Sequence, residues 1–281
     1  MKTYAFAASA ILLMASAPAF AGSFTYTDFD TTDPSLVFAG DTTATGGALA
    51  ITPKQTQYDS GAAYTSTALA LGASPNFTSS FQFSIAANTT PTANGFAFVL
   101  TSDPSQMGQS NQSLGIGTAA TSLAVEFSDY GNRVNNPQIG QNLYNSNLVA
   151  AISNGNTQVV GNPTGSYGSP GPTSCVGAQT AGNNCMNNGD VWTADISYVA
   201  GKLSVSLADG AGAFITVISN YAIALGGNVY AGFSGSTGVY SDSVSILNWT
   251  MSYDVPEPMT VGMFGVGLAA LGFMRTRRRA V

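Results

Sequence analysis

Residues 123–140 read LAVEFSDYGNRVNNPQIG, and at their start Leu123, Val125 and Phe127 alternate with Ala124, Glu126 and Ser128. A period of two sends successive side chains to opposite faces of an extended strand, here one face apolar and the other small or polar. The strand runs into Ser128, Asp129, Tyr130, Gly131, Asn132, Asn135 and Asn136, closed by Pro137. Side-chain oxygens and one aromatic ring gathered in a loop suit a shallow polyol site or a cation held by oxygen. Glu126 is the one glutamate ahead of the C-terminal tail.

The same alternation recurs on both sides of this stretch. Phe81, Phe83 and Ile85 alternate with Gln82 and Ser84. Phe96, Phe98 and Leu100 alternate with Gly95, Ala97 and Val99, and Leu203, Val205 and Leu207 with Ser204, Ser206 and Ala208. Val229 to Phe233 and then Val244, Ile246 and Trp249 give two further strands. Turn signals separate them at Gly46-Gly47, Pro75-Asn76, Asn94-Gly95, Asp209-Gly210 and Gly226-Gly227. Between residues 22 and 254 no segment keeps a helical period and nothing repeats at a fixed spacing. Many short strands with one apolar face predict a single all-β domain built as a two-sheet sandwich.

Both ends read as processing segments. Lys2, the apolar run Ala5 to Ala15 and the small-x-small site Ala19-Phe20-Ala21 make residues 1–21 a signal peptide, and export is expected. Residues 255–281 hold Val255-Pro256-Glu257-Pro258, an apolar run from Met259 to Met274, and Arg275, Arg277, Arg278 and Arg279. That run is shorter than the ~20 residues a permanent spanning helix needs, and the arginines fix its end on the cytoplasmic side. The combination resembles the PEP-CTERM sorting signal of Gram-negative bacteria. The resemblance implies a short C-terminal apolar helix, transient insertion in the inner membrane, processing by an exosortase, and release to the cell surface or extracellular matrix. A plain C-terminal membrane anchor is the alternative.

Without the two ends, Lys54, Arg133 and Lys202 are the only basic residues, against all but one of the 14 acids. So acidic a body is a poor partner for nucleic acid or anionic lipid. Cys175 and Cys185, the only cysteines, fall in a Gly/Asn/Pro-rich stretch. In an oxidising compartment they are expected to pair and to pin the loop from about Gly161 to Gly189. Two thiols with no histidine in the chain make an incomplete zinc site, and Ser/His or Cys/His catalysis has no base.

Seven segments, in order, resemble the legume-type (L-type) lectins: Gly47–Thr52, Ser60–Tyr64, Phe81–Ile85, Ala93-Asn94-Gly95-Phe96-Ala97-Phe98, Leu114-Gly115-Ile116, Gly232-Phe233-Ser234-Gly235-Ser236-Thr237-Gly238 and Asn248-Trp249-Thr250. The resemblance implies a curved jelly-roll (concanavalin-like) sandwich over residues 22–254. It also implies a carbohydrate site built from Asn94, a backbone N–H at Gly115, Tyr130 and Asn132. Amide oxygens accept from sugar hydroxyls, N–H groups donate to them, and a ring packs on the apolar C–H face. Asn94 stands where the family has a carboxylate and so loses charge-assisted strength. For cations the resemblance leaves Glu126, Asp129, Asn132 and Asn136 as oxygen ligands. Ser128, Asn136 and Gln138 replace two carboxylates and a histidine, which removes the basis for a transition ion and leaves calcium as the candidate. The competing reading has amide hydrogen bonds holding the loop, with Glu126 solvated or paired.

Three functions follow as expectations. The first is an exported, surface-sorted protein that binds exopolysaccharide or envelope glycans without catalysis. The second is a matrix or adhesion protein that has lost sugar binding. The third, a glycoside hydrolase, is disfavoured because Glu126 and Asp129 fall on opposite faces of a regular strand.

Overall fold

The alternating segments are strands in space. The computed structural model describes residues 20–72, 75–89, 94–108, 113–116, 122–129, 134–136, 141–143, 147–154, 156–161, 175 and 185–255. Leu123 to Phe127 lies in β9 (Ser122–Ser128), Phe81 to Ile85 in β7 (Phe77–Ala87), and Phe96 to Leu100 in β8 (Phe96–Thr101). Residues 1–19 of the expected signal peptide and 256–281 of the expected sorting tail lie outside the described residues. Residues 21–255 form one unit.

Two eight-stranded sheets make the sandwich. The first runs β16 (Ile215–Ala222), β15 (Lys202–Asp209), β14 (Trp192–Val199), β7, β18 (Asp242–Val255), β4 (Ala48–Ala50) and β3 (Thr43–Thr45), with β1 (Phe20–Tyr26) also on β18. The second runs β13 (Asn156–Gly161), β12 (Leu148–Ser153), β9, β8, β17 (Asn228–Ser236), β5 (Ser60–Thr65) and β2 (Leu36–Gly40), with β6 (Leu69–Ala70) on β17. A small hairpin joins β10 (Val134–Asn136) to β11 (Gln141–Leu143). Consecutive hairpins such as β14 to β16 alternate with non-consecutive neighbours such as β7 beside β18 and β8 beside β17, so the chain crosses between sheets as a jelly roll requires.

Aromatic side chains of the inward phase fill the space between the sheets. Phe81 is registered opposite Trp249, and Phe96 opposite Phe127. Phe81 and Phe233 meet edge to face at 4.9 Å, and Phe96 and Phe127 stack at 4.9 Å. The offset and edge contacts satisfy the ring quadrupoles. Trp249 is 1% exposed, yet its Nε1–H still donates to Ser79 Oγ at 3.0 Å.

β8 departs from the expected alternation, because both of its faces are buried. Ala97 and Val99 on its outer face pack with Ala62, Ala124, Met107, Leu114 and Ile116. The small alanines let Met107, Leu114 and Ile116 lie close on the second sheet, and Leu114 belongs to a 3₁₀ turn, Ser113–Gly115. The disulfide forms as expected between Cys175 and Cys185, with Asn187 Nδ2 donating to the Cys175 carbonyl at 3.1 Å.

Candidate functional site

The end of β9, the end of β17, the start of β18 and the Asn94-Gly95 turn meet at one edge of the sandwich. Gly95 has φ +90, and a Cβ on it would lie 2.0 Å from the Phe127 carbonyl oxygen. Only glycine lets this turn rest on β9. The Gly95 N–H donates to Asp242 Oδ2 at 2.7 Å, and Asn94 Nδ2 donates to the Ser236 carbonyl at 3.1 Å. A Cβ on Gly238 would stand 3.7 Å from Asn94 Nδ2, so the turn after β17 borders the same amide.

Gly115 reaches this stretch from the other side. Its φ is +65, and a Cβ there would be 2.8 Å from Ser234 Oγ and 3.2 Å from the Gly235 carbonyl oxygen. Ser234 Oγ donates to the Leu114 carbonyl at 2.8 Å, which fixes the 3₁₀ turn on β17. Asn94 and Gly115, named from sequence, therefore converge on Ser234 to Gly238. Tyr130, Asn132 and the side chain of Asn136 lie outside the described residues. Asn94 is 6% exposed, and with its amide N–H engaged, Oδ1 is the side-chain atom suited to accept from a ligand hydroxyl.

Glu126 is opposite Ala97 and Ala150 and is buried, so the solvated alternative for it is corrected. Asp129 is also fully buried, and its carboxyl is in hydrogen-bond contact with that of Asp242. Burial first, and then the charge of Asp129, holds the Asp242 carboxyl well above the ordinary carboxylate range, against the lowering effect of the Gly95 N–H. No donor among the described residues reaches Asp242 Oδ1. Two buried carboxyls in contact cannot both ionise cheaply, and a shared proton satisfies the pair.

Asp242 was not singled out from sequence, although a cue was present. It falls in the same phase as Val244 and Ile246, the inward residues of β18, so it is an acid in an apolar register. Its partner Asp129 is remote in the chain, and sequence spacing carries no sign of that pairing.

Among the described residues, no three His, Cys, Asp or Glu side chains converge to hold a metal. Calcium takes about six to eight oxygen ligands, and the Asp129–Asp242 pair falls well short of that set. The described residues do not by themselves fit the calcium or transition ion of the resemblance.

A family model described as the legume lectin domain matches residues 21–261. Among solved structures, the chain is similar to lectin I-B4 from Griffonia simplicifolia in a metal-free form, at 23% identity and TM-score 0.63, covering 83% of this chain and 100% of that one. It is similar to lectin I from Ulex europaeus in complex with the methyl glycoside of α-L-fucose, at 20% identity and TM-score 0.61, covering 83% and 98%. It is also similar to arcelin-5, a lectin-like defense protein from Phaseolus vulgaris, at 20% identity and TM-score 0.61, covering 84% and 99%. These likenesses concern the fold. No curated protein sequence matches the chain.

Proposed function

The chain belongs to the legume lectin domain family, and from that premise we propose that it is an exported protein that holds carbohydrate without cutting it. The observation that carries this reading is the convergence of Asn94 and Gly115 on Ser234 to Gly238. One amide oxygen and two glycine-walled backbones at a sheet edge offer acceptors and close approach to a pyranose, and Tyr130 and Asn132 would complete the grip. Removal of residues 1–21 and exosortase processing of residues 255–281 would deliver the body to the cell surface or matrix, where exopolysaccharide and envelope glycans are the ligands at hand.

The chain is a binding protein and not an enzyme. A glycosidase sets two carboxyl groups about 5–10 Å apart across the scissile bond. Asp129 and Asp242 are in hydrogen-bond contact, which leaves no space for a sugar between them. A second reading, a matrix or adhesion protein that has lost sugar binding, is favoured by the burial of Asn94 and the engagement of its Nδ2.

A glycan array probed with the full chain, with and without calcium, tests the proposal. Fucose and galactose glycosides belong on it as first probes, since related folds have been solved with them. Selective binding with no reducing ends released supports the lectin reading. Binding to no glycan in either condition supports the matrix reading and overturns this one.

A further inference from the structure

We propose that Tyr58 is a stacking platform that extends the Asn94 site to the second residue of an oligosaccharide. This rests on the lectin reading. Tyr58 has φ +62 and is 56% exposed. The left-handed region is costly for a side chain with a Cβ, and turns that need it usually place Gly or Asn there. This chain does so at Gly46, Gly47, Asn154 and Asn220, while Gln55, Leu114 and Ala200 also carry a Cβ there; Tyr58 is the one aromatic ring among the described residues with positive φ. At residue 58 it keeps a large ring that adds nothing to the core.

The strained backbone is held against the site itself. The Tyr58 N–H donates to the Gly238 carbonyl at 3.0 Å, and Gly238 is the residue that abuts Asn94. One residue on, the Asp59 N–H donates to Thr237 Oγ1 at 2.8 Å and the Thr237 N–H returns to the Asp59 carbonyl at 2.8 Å. Thr237 Oγ1 also donates to the Thr56 carbonyl at 2.7 Å, and the Lys54 N–H to Asp59 Oδ2 at 2.8 Å. Loop 54–59 is thus bolted to the turn after β17, and Gly238 lies between Tyr58 and Asn94.

The chemistry that fits an exposed ring on a backbone fastened to the residue that borders an amide acceptor is the C–H face of a pyranose. With Gly238 in between, a ring carried at residue 58 serves the neighbour of the sugar at Asn94. Backbone strain beside a binding edge is accounted for when the strained residue contacts the ligand. Stacking needs the ring and not the hydroxyl, so phenylalanine should substitute.

The test uses the full chain as wild type, Tyr58→Gly, Tyr58→Phe and Asn94→Ala, titrated against a panel of mono- to tetrasaccharides, with melting temperatures for each. Glycine accepts positive φ, so Tyr58→Gly is expected to melt no lower than wild type. It should lose about fivefold or more in oligosaccharide affinity, with monosaccharide affinity kept and Tyr58→Phe close to wild type. If Asn94→Ala loses binding while Tyr58→Gly binds oligosaccharides as tightly as wild type, the Tyr58 proposal alone is overturned. Tyr58→Gly melting well below wild type would assign the ring a packing role and overturn it as well. A wild-type chain that binds no sugar overturns the lectin reading and this proposal together.

Discussion

Replacing Asn94 by aspartate restores the carboxylate of the family pattern, and the structure predicts that the change costs stability. Asn94 Nδ2 donates to the Ser236 carbonyl at 3.1 Å from a side chain only 6% exposed. Aspartate removes that donor and turns an anionic oxygen toward the carbonyl. The adjacent Gly95 already serves Asp242, itself in contact with Asp129, so a third carboxyl enters a poorly solvated acidic corner. Losing one partner of a buried hydrogen bond costs about 1–3 kcal/mol. For a domain of this size each kcal/mol lowers the melting temperature by about 2–4 °C, so a fall of roughly 5 °C is expected at neutral pH. Protonation of the new carboxyl restores a donor, so the deficit should shrink in mild acid. Thermal melts of wild type and Asn94→Asp across that range decide the matter. Equal melting at neutral pH, or a deficit that grows in acid, would refute the reasoning.

Other changes probe the supports of the site. Burial, and then the Asp41 carboxyl, raise the Asp59 carboxyl above its ordinary 3.8, against the lowering effects of the Lys54 N–H and ammonium. With a raised native value, its stabilising contribution is complete below 3.8 and is lost as pH climbs through the native value. Asp59→Asn keeps an acceptor for Lys54 N–H and should flatten that part of the stability–pH curve, as read by urea midpoints. Gly95→Ala meets the Phe127 carbonyl oxygen and a left-handed backbone, and should cost more than about 2 kcal/mol by denaturant titration. Opening the Cys175–Cys185 link with a double serine variant frees a ten-residue closure. It should cost about 2–3 kcal/mol in chain entropy, which calorimetry under matched redox conditions would register.

Strand positions were legible because period-two alternation is local, and Phe81 and Phe83 took the inward phase read for them, whereas Trp249 turns inward through a register shift between Ile246 and Asn248 that alternation does not show. The double burial of β8 was also written in the chain. Phe96 to Leu100 is apolar at every position, which is how a strand covered on both faces reads, and alternation was the wrong template for it. The site was half legible. Asn94 and Gly115 were found through motifs, but their meeting on Ser234 to Gly238 depends on strands far apart in sequence. Asp242 and Tyr58 escaped for the same reason. An acid in an apolar register and an exposed tyrosine gain meaning only once β18 is paired beside β7 and loop 54–59 is fastened to the turn after β17.

One binding measurement tests the core of this account most directly: glycan affinity of the full chain beside its Asn94→Ala variant, each checked for an intact fold by circular dichroism. The account predicts that the wild type selects a defined set of glycans and that the folded variant loses them by about tenfold or more, the scale of a hydrogen bond lost at a buried polar contact. A wild type that binds none of them, or a folded variant that binds them equally well, would contradict it.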